Sequence, residues 1–199
     1  MTNSYNNQFD VSRKVAVLTG GGGVLCSTMS TALAQAGAKV AVLDISLAAA
    51  QQVTTEIQSE GGEALAVQCD VLDKASVSAA AESILTHFGR VDMLVNGAGG
   101  NKKEATTSPD LSFFDLPQDA VQWVFNLNFL GTLLPSQVFG KIMGAQDDGI
   151  VLNISSMNAF QPLTRIPAYS AAKAAVSNFT QWLAVHRAQE YSPRSRGCL

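Results

Sequence analysis

Residues 14–25 read KVAVLTGGGGVL, and they decide the fold. Lys14–Leu18 is a short Val-rich apolar run that ends in Thr19 and the glycines Gly20–Gly23, the pattern of a buried strand leaving into a turn. Beyond the turn, apolar residues fall at Leu25, Met29, Leu33 and Ala36. That interval is helical, and Gly37 closes the helix. Glycines between a strand and a helix let backbone N–H groups approach a pyrophosphate at the helix N-terminus. A plain flexible turn is the alternative, and the position of the run favours the nucleotide.

The same alternation continues along the chain. Lys39–Leu43, again KVAVL, predicts a second strand ended by Asp44. Ser46 caps a helix carrying Ala49, Val53 and Ile57 inward, and Gly61-Gly62 stops it. Ala64–Gln68 is a third strand leading to Asp70. Asp73 caps the next helix, with Val77, Ala80, Ile84 and Phe88 inward and Gly89 after it. Met93–Asn96 is a fourth strand opening into Gly97-Ala98-Gly99-Gly100. Asn101–Pro117 reads as a polar loop. Residues 118–143 are helical in pattern, with Gly131 and Pro135 predicting a kink or break. Gly149–Ile154 is a fifth strand. A last helix over 168–189 should bury Ala172, Val176, Phe179 and Leu183. Strands that are nearly continuous apolar runs, each followed by a helix, define an α/β doubly wound parallel sheet joined by right-handed crossovers. The expected organisation is a polar segment over 1–13, one domain over 14–189 and an irregular tail over 190–199.

Composition narrows the partners. A length of 199 residues suits one domain. The net charge of −3 comes without a basic block, which argues against nucleic acid. No apolar run is long enough to span a bilayer, and the polar opening MTNSYNNQFD lacks the apolar core of a signal peptide. Cys26, Cys69 and Cys198 are widely spaced and odd in number, as reduced thiols in a cytoplasmic protein would be. His87 and His186 have no Cys or His at metal-ligand spacing, so no metal is expected.

Ligands of such sheets bind beyond the carboxyl ends of the strands, where the unusual residues cluster. Asp44, some 24 residues after Gly20, can accept from both ribose hydroxyls and would repel a 2′-phosphate, which favours NAD over NADP. Asp70 either contacts adenine or starts a turn. The Asn96–Gly99 run either borders the adenosine ribose or supplies a tight turn. Asn128, set among apolar residues, needs hydrogen-bond partners and either holds water or backbone, or is purely structural. The stretch SSMNAFQPLTRIPAYSAAK, residues 155–173, ends in Tyr169 and Lys173, which share one helix face. An ammonium beside a phenol favours the phenolate, and a nearby serine hydroxyl can hold the oxygen that exchanges the proton. This is acid–base equipment for an alcohol or carbonyl.

Together TGGGGVL, Asp44, CDV at 69–71, NGAG at 96–99, Asn128, Ser156 and YSAAK resemble the short-chain dehydrogenase/reductase family, over about Lys14 to His186. The resemblance implies a Rossmann-type fold and hydride transfer between NAD(P) and alcohols or ketones. It implies cofactor contacts from Thr19, Gly20, Gly22, Gly23, Val24, Leu25, Asp44, Asp70, Val71 and Asn96–Gly99, including Gly97 and Ala98. Ser156 lies thirteen residues before Tyr169, the family's interval, and is therefore preferred to Ser155 as the residue orienting the substrate oxygen. Tyr169 would be the general acid/base, Lys173 would favour its phenolate and bind the nicotinamide ribose, and Asn128 would support a water-linked relay.

VNGAGGN, DLPQDAVQWVFNLNFLGTLLPSQVFGK and NISSMNAFQPLTRIPAYSAAKAAVSNFTQWLAVH look like the mannonate oxidoreductase (fructuronate reductase) branch. A substrate of the D-mannonate/D-fructuronate type carries a carboxylate, and Lys102, Lys103 and Arg165 are the candidate cations, or plain surface charges. The two long helices would form a homo-oligomer interface.

Two departures carry expectations. Val24 and Cys26 stand where the common turn TGxxxGxG has its last two glycines, so a Cβ and thiol at Cys26 should crowd the pyrophosphate or the helix–strand contact. The family-like text fades after His186, so five strands are expected without the family's usual sixth and seventh, leaving an exposed edge. Beside the sugar-acid enzyme, the alternatives are a truncated and inactive nucleotide-binding remnant or subunit, and a dehydrogenase of another sugar or polyol.

Overall fold

A computed structural model describes residues 10–190; most of the polar N-terminal segment, the tail after 190 and Cys198 lie outside the described residues. Five strands, β1 (Val15–Thr19), β2 (Lys39–Asp44), β3 (Ala64–Gln68), β4 (Met93–Asn96) and β5 (Ile150–Asn153), form one sheet in the order β3-β2-β1-β4-β5. Every pairing is parallel. The helices are α1 (Val24–Gln35), α2 (Leu47–Ser59), α3 (Lys74–Phe88), α4 (Gln118–Gln146) and α5 (Pro167–Glu190).

Local signals place most boundaries. Ser46 accepts from the Ala49 N–H and Asp73 from the Ala75 N–H, so both predicted caps form. Gly89 takes the left-handed conformation that ends α3, at φ +80. Alternate residues of each strand feed the two faces. Val15, Val17, Ala41 and Leu43 pack with Val77, Ile84, Phe139 and Met143 from α3 and α4. Ala16, Leu18, Val40 and Val42 pack on the opposite side with Ala34, Ala50, Val53 and Ile57 from α1 and α2. Truncating a fully buried residue such as Phe139 to Ala would cost about 3 kcal/mol.

Of the kink or break expected in the fourth helix, the break does not occur. α4 runs unbroken over 29 residues through Pro135. A proline removes one backbone hydrogen bond and crowds the carbonyl four residues back, here that of Gly131, which has no side chain of its own. Gly131, Thr132, Pro135, Ser136 and Phe139 are all buried, and Thr132 and Ser136 hydroxyls donate to the Asn128 and Thr132 carbonyls at 2.9 and 2.7 Å. Burial along one face outweighs the local cost. The loop expected over 101–117 contains two short 3₁₀ turns. In α5, Ala172 and Val176 are buried as expected, while Phe179 and Leu183 are only half-buried.

At the amino ends of the strands, Asp92 is 2% exposed. It accepts from the Val15 N–H at 2.8 Å and from the Arg90 guanidinium, with Lys14 at 3.4 Å. At the carboxyl ends, Thr19 stands beside Asn96 and Asn96 beside Asn153. Polar side chains thus line one edge of an apolar sheet. No helix among the described residues is long and apolar enough to cross a membrane.

Candidate active site

The turn after β1 is fixed by close packing. Gly20 has φ +63, and a Cβ there would lie 2.8 Å from the Ala98 Cα. The Gly22 N–H donates to Asp44 Oδ2 at 3.0 Å and the Ser46 N–H donates to Asp44 Oδ1 at 2.9 Å. Both carboxylate oxygens are therefore oriented by backbone at the rim of the turn. The N-cap of α1, Gly23, makes no side-chain cap bond, which leaves first-turn N–H groups without that partner.

A cavity of about 420 Å³ opens beside this turn. Among the expected cofactor residues, Gly20, Gly23, Val24, Leu25, Asp44, Asp70, Val71, Gly97, Ala98 and Gly99 line it. Thr19, Gly22 and Asn96 do not, nor do Tyr169 and Lys173, the residues expected at the nicotinamide end. Thr19 Oγ1 accepts from the Gly97 and Ala98 N–H groups at 3.1 and 3.2 Å, which ties the first turn to the fourth. Asn96 is buried and donates to Ser136 and Asn153 at 2.9 and 2.8 Å. These residues shape the cavity from behind. Asp70 does start a turn, since its Oδ1 accepts from the Leu72 N–H at 2.8 Å, and it also lines the cavity.

Cys26 also lines the cavity and is 3% exposed. Its thiol is buried against Gly97, where any Cβ would overlap the sulfur. The missing side chain at 97 supplies the room that Cys26 takes at the helix–strand contact. Burial pushes the Cys26 thiol up, as does the nearby Asp44 charge, against the opposing pull of Lys173. Cys69, also in the wall, is pushed up to about 11, chiefly by burial. Both stay protonated near neutral pH. Sequence reasoning missed Ile45, Cys69 and Leu127 in this wall. Ile45 had a usable signal, an isolated apolar residue directly after the strand-end Asp44.

The acid–base residues gather at the end of β5. Ser155 Oγ lies 2.7 Å from Ser177 Oγ and donates to the Lys173 carbonyl at 3.2 Å. Ser155 therefore ties the β5 end to α5. Among the described residues Ser156 Oγ is engaged only by the Asn158 N–H, at 3.2 Å, and its own proton is uncommitted there. Lys173 is 4% exposed, and its Nζ donates to the Ile154 carbonyl at 2.7 Å and lies 5.7 Å from the Tyr169 ring centroid. Burial pushes its ammonium down from the usual lysine range, opposed by Cys26. Tyr169 packs against the buried cluster of Ala105, Ala120, Val124 and Ala168.

Asn128 is fully committed to backbone. Its Nδ2 donates to the Gly100 and Val124 carbonyls at 2.7 and 2.8 Å, and its Oδ1 accepts from the Gly100 N–H at 3.3 Å. It clamps the turn after β4. A Cβ on Gly99 would lie 2.7 Å from Asn128 Oδ1 and 3.4 Å from Lys173 Nζ. The cavity wall, the clamp and the lysine thus meet at Gly99. Of the three candidate cations, Lys102 lies 4.3 Å above the Trp123 ring, while Lys103 and Arg165 are exposed. Among the described residues, no cluster of His, Cys, Asp or Glu could hold a metal ion.

Parallel strands and a glycine cradle ending in an oriented carboxylate, with Lys173 behind Gly99 of its wall, define a dinucleotide-binding fold of Rossmann type. The chain belongs to the short chain dehydrogenase family, whose model matches residues 14–191. It is 48% identical over 187 residues to an uncharacterized oxidoreductase of Haemophilus influenzae, and 48% identical over 188 residues to the uncharacterized oxidoreductase UxuB of Bacillus subtilis. These alignments take in 89% and 90% of this chain and 66% and 68% of the relatives. The chain thus spans about two thirds of the length of these relatives. A Haemophilus crystal structure provisionally described as a D-mannonate oxidoreductase with bound NAD superposes with a TM-score of 0.87 at 46% identity, over 94% of this chain and 70% of that one.

Proposed function

We propose that this chain binds NAD and interconverts a sugar-acid ketone and alcohol of the D-mannonate/D-fructuronate type. One observation carries the reading: Gly99 lines the Asp44 cavity and a Cβ on it would lie 3.4 Å from Lys173 Nζ, which is itself 5.7 Å from the Tyr169 ring centroid. The Haemophilus structure supports both the cofactor and the substrate class. Asp44 would accept from the adenosine ribose, and the uncapped N-terminus of α1 would face the pyrophosphate. Bound NAD supplies or accepts the hydride. In the reducing direction the Tyr169 hydroxyl gives its proton to the substrate oxygen, which the Ser156 hydroxyl holds in place. Lys173 lies beside the phenol and would also contact the nicotinamide ribose. Asn128 holds the Gly100 turn against this group. A cation near the turn after β4 receives the substrate carboxylate.

The test is reduction of D-fructuronate by NADH with the purified chain. Turnover with NADH well ahead of NADPH is expected; tight NADH binding without turnover would overturn the reading. That second outcome belongs to a second reading, a nucleotide-binding subunit without activity. The exposure of Ile150 and Leu152 on β5, in a sheet otherwise well covered, favours it.

A homo-oligomer through α4 and α5 is part of the proposal. Phe129 and Phe179 meet edge-on, Phe179 stacks on Trp182 and Trp182 on His186, and Trp182 is 57% exposed. A monomer in sedimentation at micromolar concentration would remove it. Cytoplasmic location is proposed on the free, buried Cys26 and Cys69.

A further inference from the structure

The sequence offers Lys102, Lys103 and Arg165 as equivalent cations for a substrate carboxylate, and the structure separates them. Lys102 alone of the three is half-buried, and its ammonium lies 4.3 Å from the Trp123 centroid. Trp123 sits on α4 beside Val124, which packs in the same buried cluster as Tyr169. Lys102 has no carboxylate partner among the described residues, although Glu104 is two positions away. A lysine whose charge rests on a ring face keeps its electrostatic demand for an anion while losing little further freedom on binding one.

The backbone around Lys102 is pinned on both sides to the catalytic group. Gly100, two residues earlier, is clamped by Asn128 through both its N–H and its carbonyl. Consecutive Cα atoms are 3.8 Å apart, so the Lys102 Cα lies within about 8 Å of the Gly100 Cα. Ala105, three residues later, is fully buried in the cluster that holds Tyr169. The Lys102 carbonyl itself accepts from the Ala105 N–H at 3.1 Å and from Thr106 Oγ1 at 2.8 Å. Thr106 Oγ1 also accepts from Asn101 Nδ2 at 2.9 Å. The Lys103 carbonyl also accepts, from the Thr106 N–H at 3.1 Å, but the side chains of Lys103 and Arg165 are exposed, and neither has a ring contact like that of Lys102. Arg165 contributes its carbonyl instead, which accepts from the Thr107 N–H at 2.8 Å and joins the two loops beside the site.

We infer that Lys102 is the specificity-determining cation that receives the carboxylate of the sugar acid, and that Trp123 is its positioning residue. The inference rests on the proposed sugar-acid reading and adds which residue selects the acid over the neutral sugar. Substrate acid would leave the ring face in contact with the lysine stem while the ammonium turns to the carboxylate. Such a pair adds affinity for the acid and none for an uncharged ketose.

The experiment is equilibrium binding of D-fructuronate and of D-fructose to the chain loaded with NAD+, which has no hydride to give the ketone, for the wild type and single variants. NADH affinity in each variant serves as the folding control. Lys102→Met should weaken D-fructuronate binding by roughly 10- to 100-fold and leave D-fructose unchanged. Lys102→Arg should recover part of the loss, and Lys103→Met should bind as the wild type does. Trp123→Leu should weaken the acid by about two- to fivefold, again without effect on D-fructose, which a merely structural role for the ring would not spare. If the wild type prefers the acid and Lys102→Met keeps that preference, the assignment of Lys102 is overturned while the sugar-acid reading stands. If the wild type binds the two sugars alike, the sugar-acid reading itself fails and takes this assignment with it.

Discussion

The contact between Cys26 and Gly97 shows how a substitution in a nucleotide turn is absorbed. The thiol fills the volume that a Cβ at 97 would need, and Thr19 O stands 3.0 Å from the same point. Gly97→Ala should therefore cost about 2 kcal/mol by overpacking. Cys26→Gly alone should cost about 1 kcal/mol, because glycine weakens a helix. Together they should cost less than their sum, since removing the sulfur frees the space the new methyl requires. Chemical denaturation of the four proteins measures this; strict additivity would contradict the contact. The sequence alone shows an odd residue at a glycine position and suggests crowding of the pyrophosphate. It cannot show that the relief comes from a glycine 71 positions away, because that complementarity exists only after the first and fourth turns are brought together. The choice between Ser155 and Ser156 has the same character. The thirteen-residue interval selects Ser156, and the bond between Ser155 and Ser177 explains why its neighbour is engaged elsewhere.

Elements were legible where local and tertiary preferences agree. β3 and β4 have their expected bounds because turn residues close each apolar run, and the caps at Ser46 and Asp73 form where the spacing puts them. α4 was not legible through Pro135, because the local penalty is visible in sequence while the buried face that offsets it is not. The strand starts depend on a group the sequence does not advertise. Burial alone would raise the Asp92 carboxyl, but the Arg90 hydrogen bonds, the Val15 N–H and the charges of Arg90 and Lys14 outweigh it and hold it below its ordinary value of 3.8. Because the folded value is the lower one, this stabilisation is complete above the ordinary carboxyl range and is lost as pH falls through the folded value. Asp92→Asn should lower stability by about 2 kcal/mol at neutral pH and flatten the loss of stability on the acid side. Urea denaturation from neutral to strongly acid pH tests it; an equal loss at every pH would show that Asp92 acts by shape and not by charge.

At the scale of the whole molecule, the sheet is covered unevenly. β1 and β2 are buried on both faces, whereas β5 lies at the edge with Ile150 63% and Leu152 44% exposed. An apolar trough of about 320 Å³ runs between these residues and Met29 and Leu33 of α1. An exposed apolar edge strand invites association. Ile150→Lys should raise the soluble yield and the concentration at which aggregates appear, with little change in unfolding temperature. A sharp fall in unfolding temperature would mean that Ile150 is part of the packed core. The proposed chemistry lies at the other end of the sheet, where Gly99 of the cavity wall adjoins Lys173. It is tested most directly by mixing the NADH-loaded chain with D-fructuronate and following loss of NADH fluorescence in the wild type and in Tyr169→Phe. A decay is expected in the wild type and none in Tyr169→Phe, with NADH affinity equal in both; a decay of the same rate in Tyr169→Phe would remove Tyr169 as the acid/base.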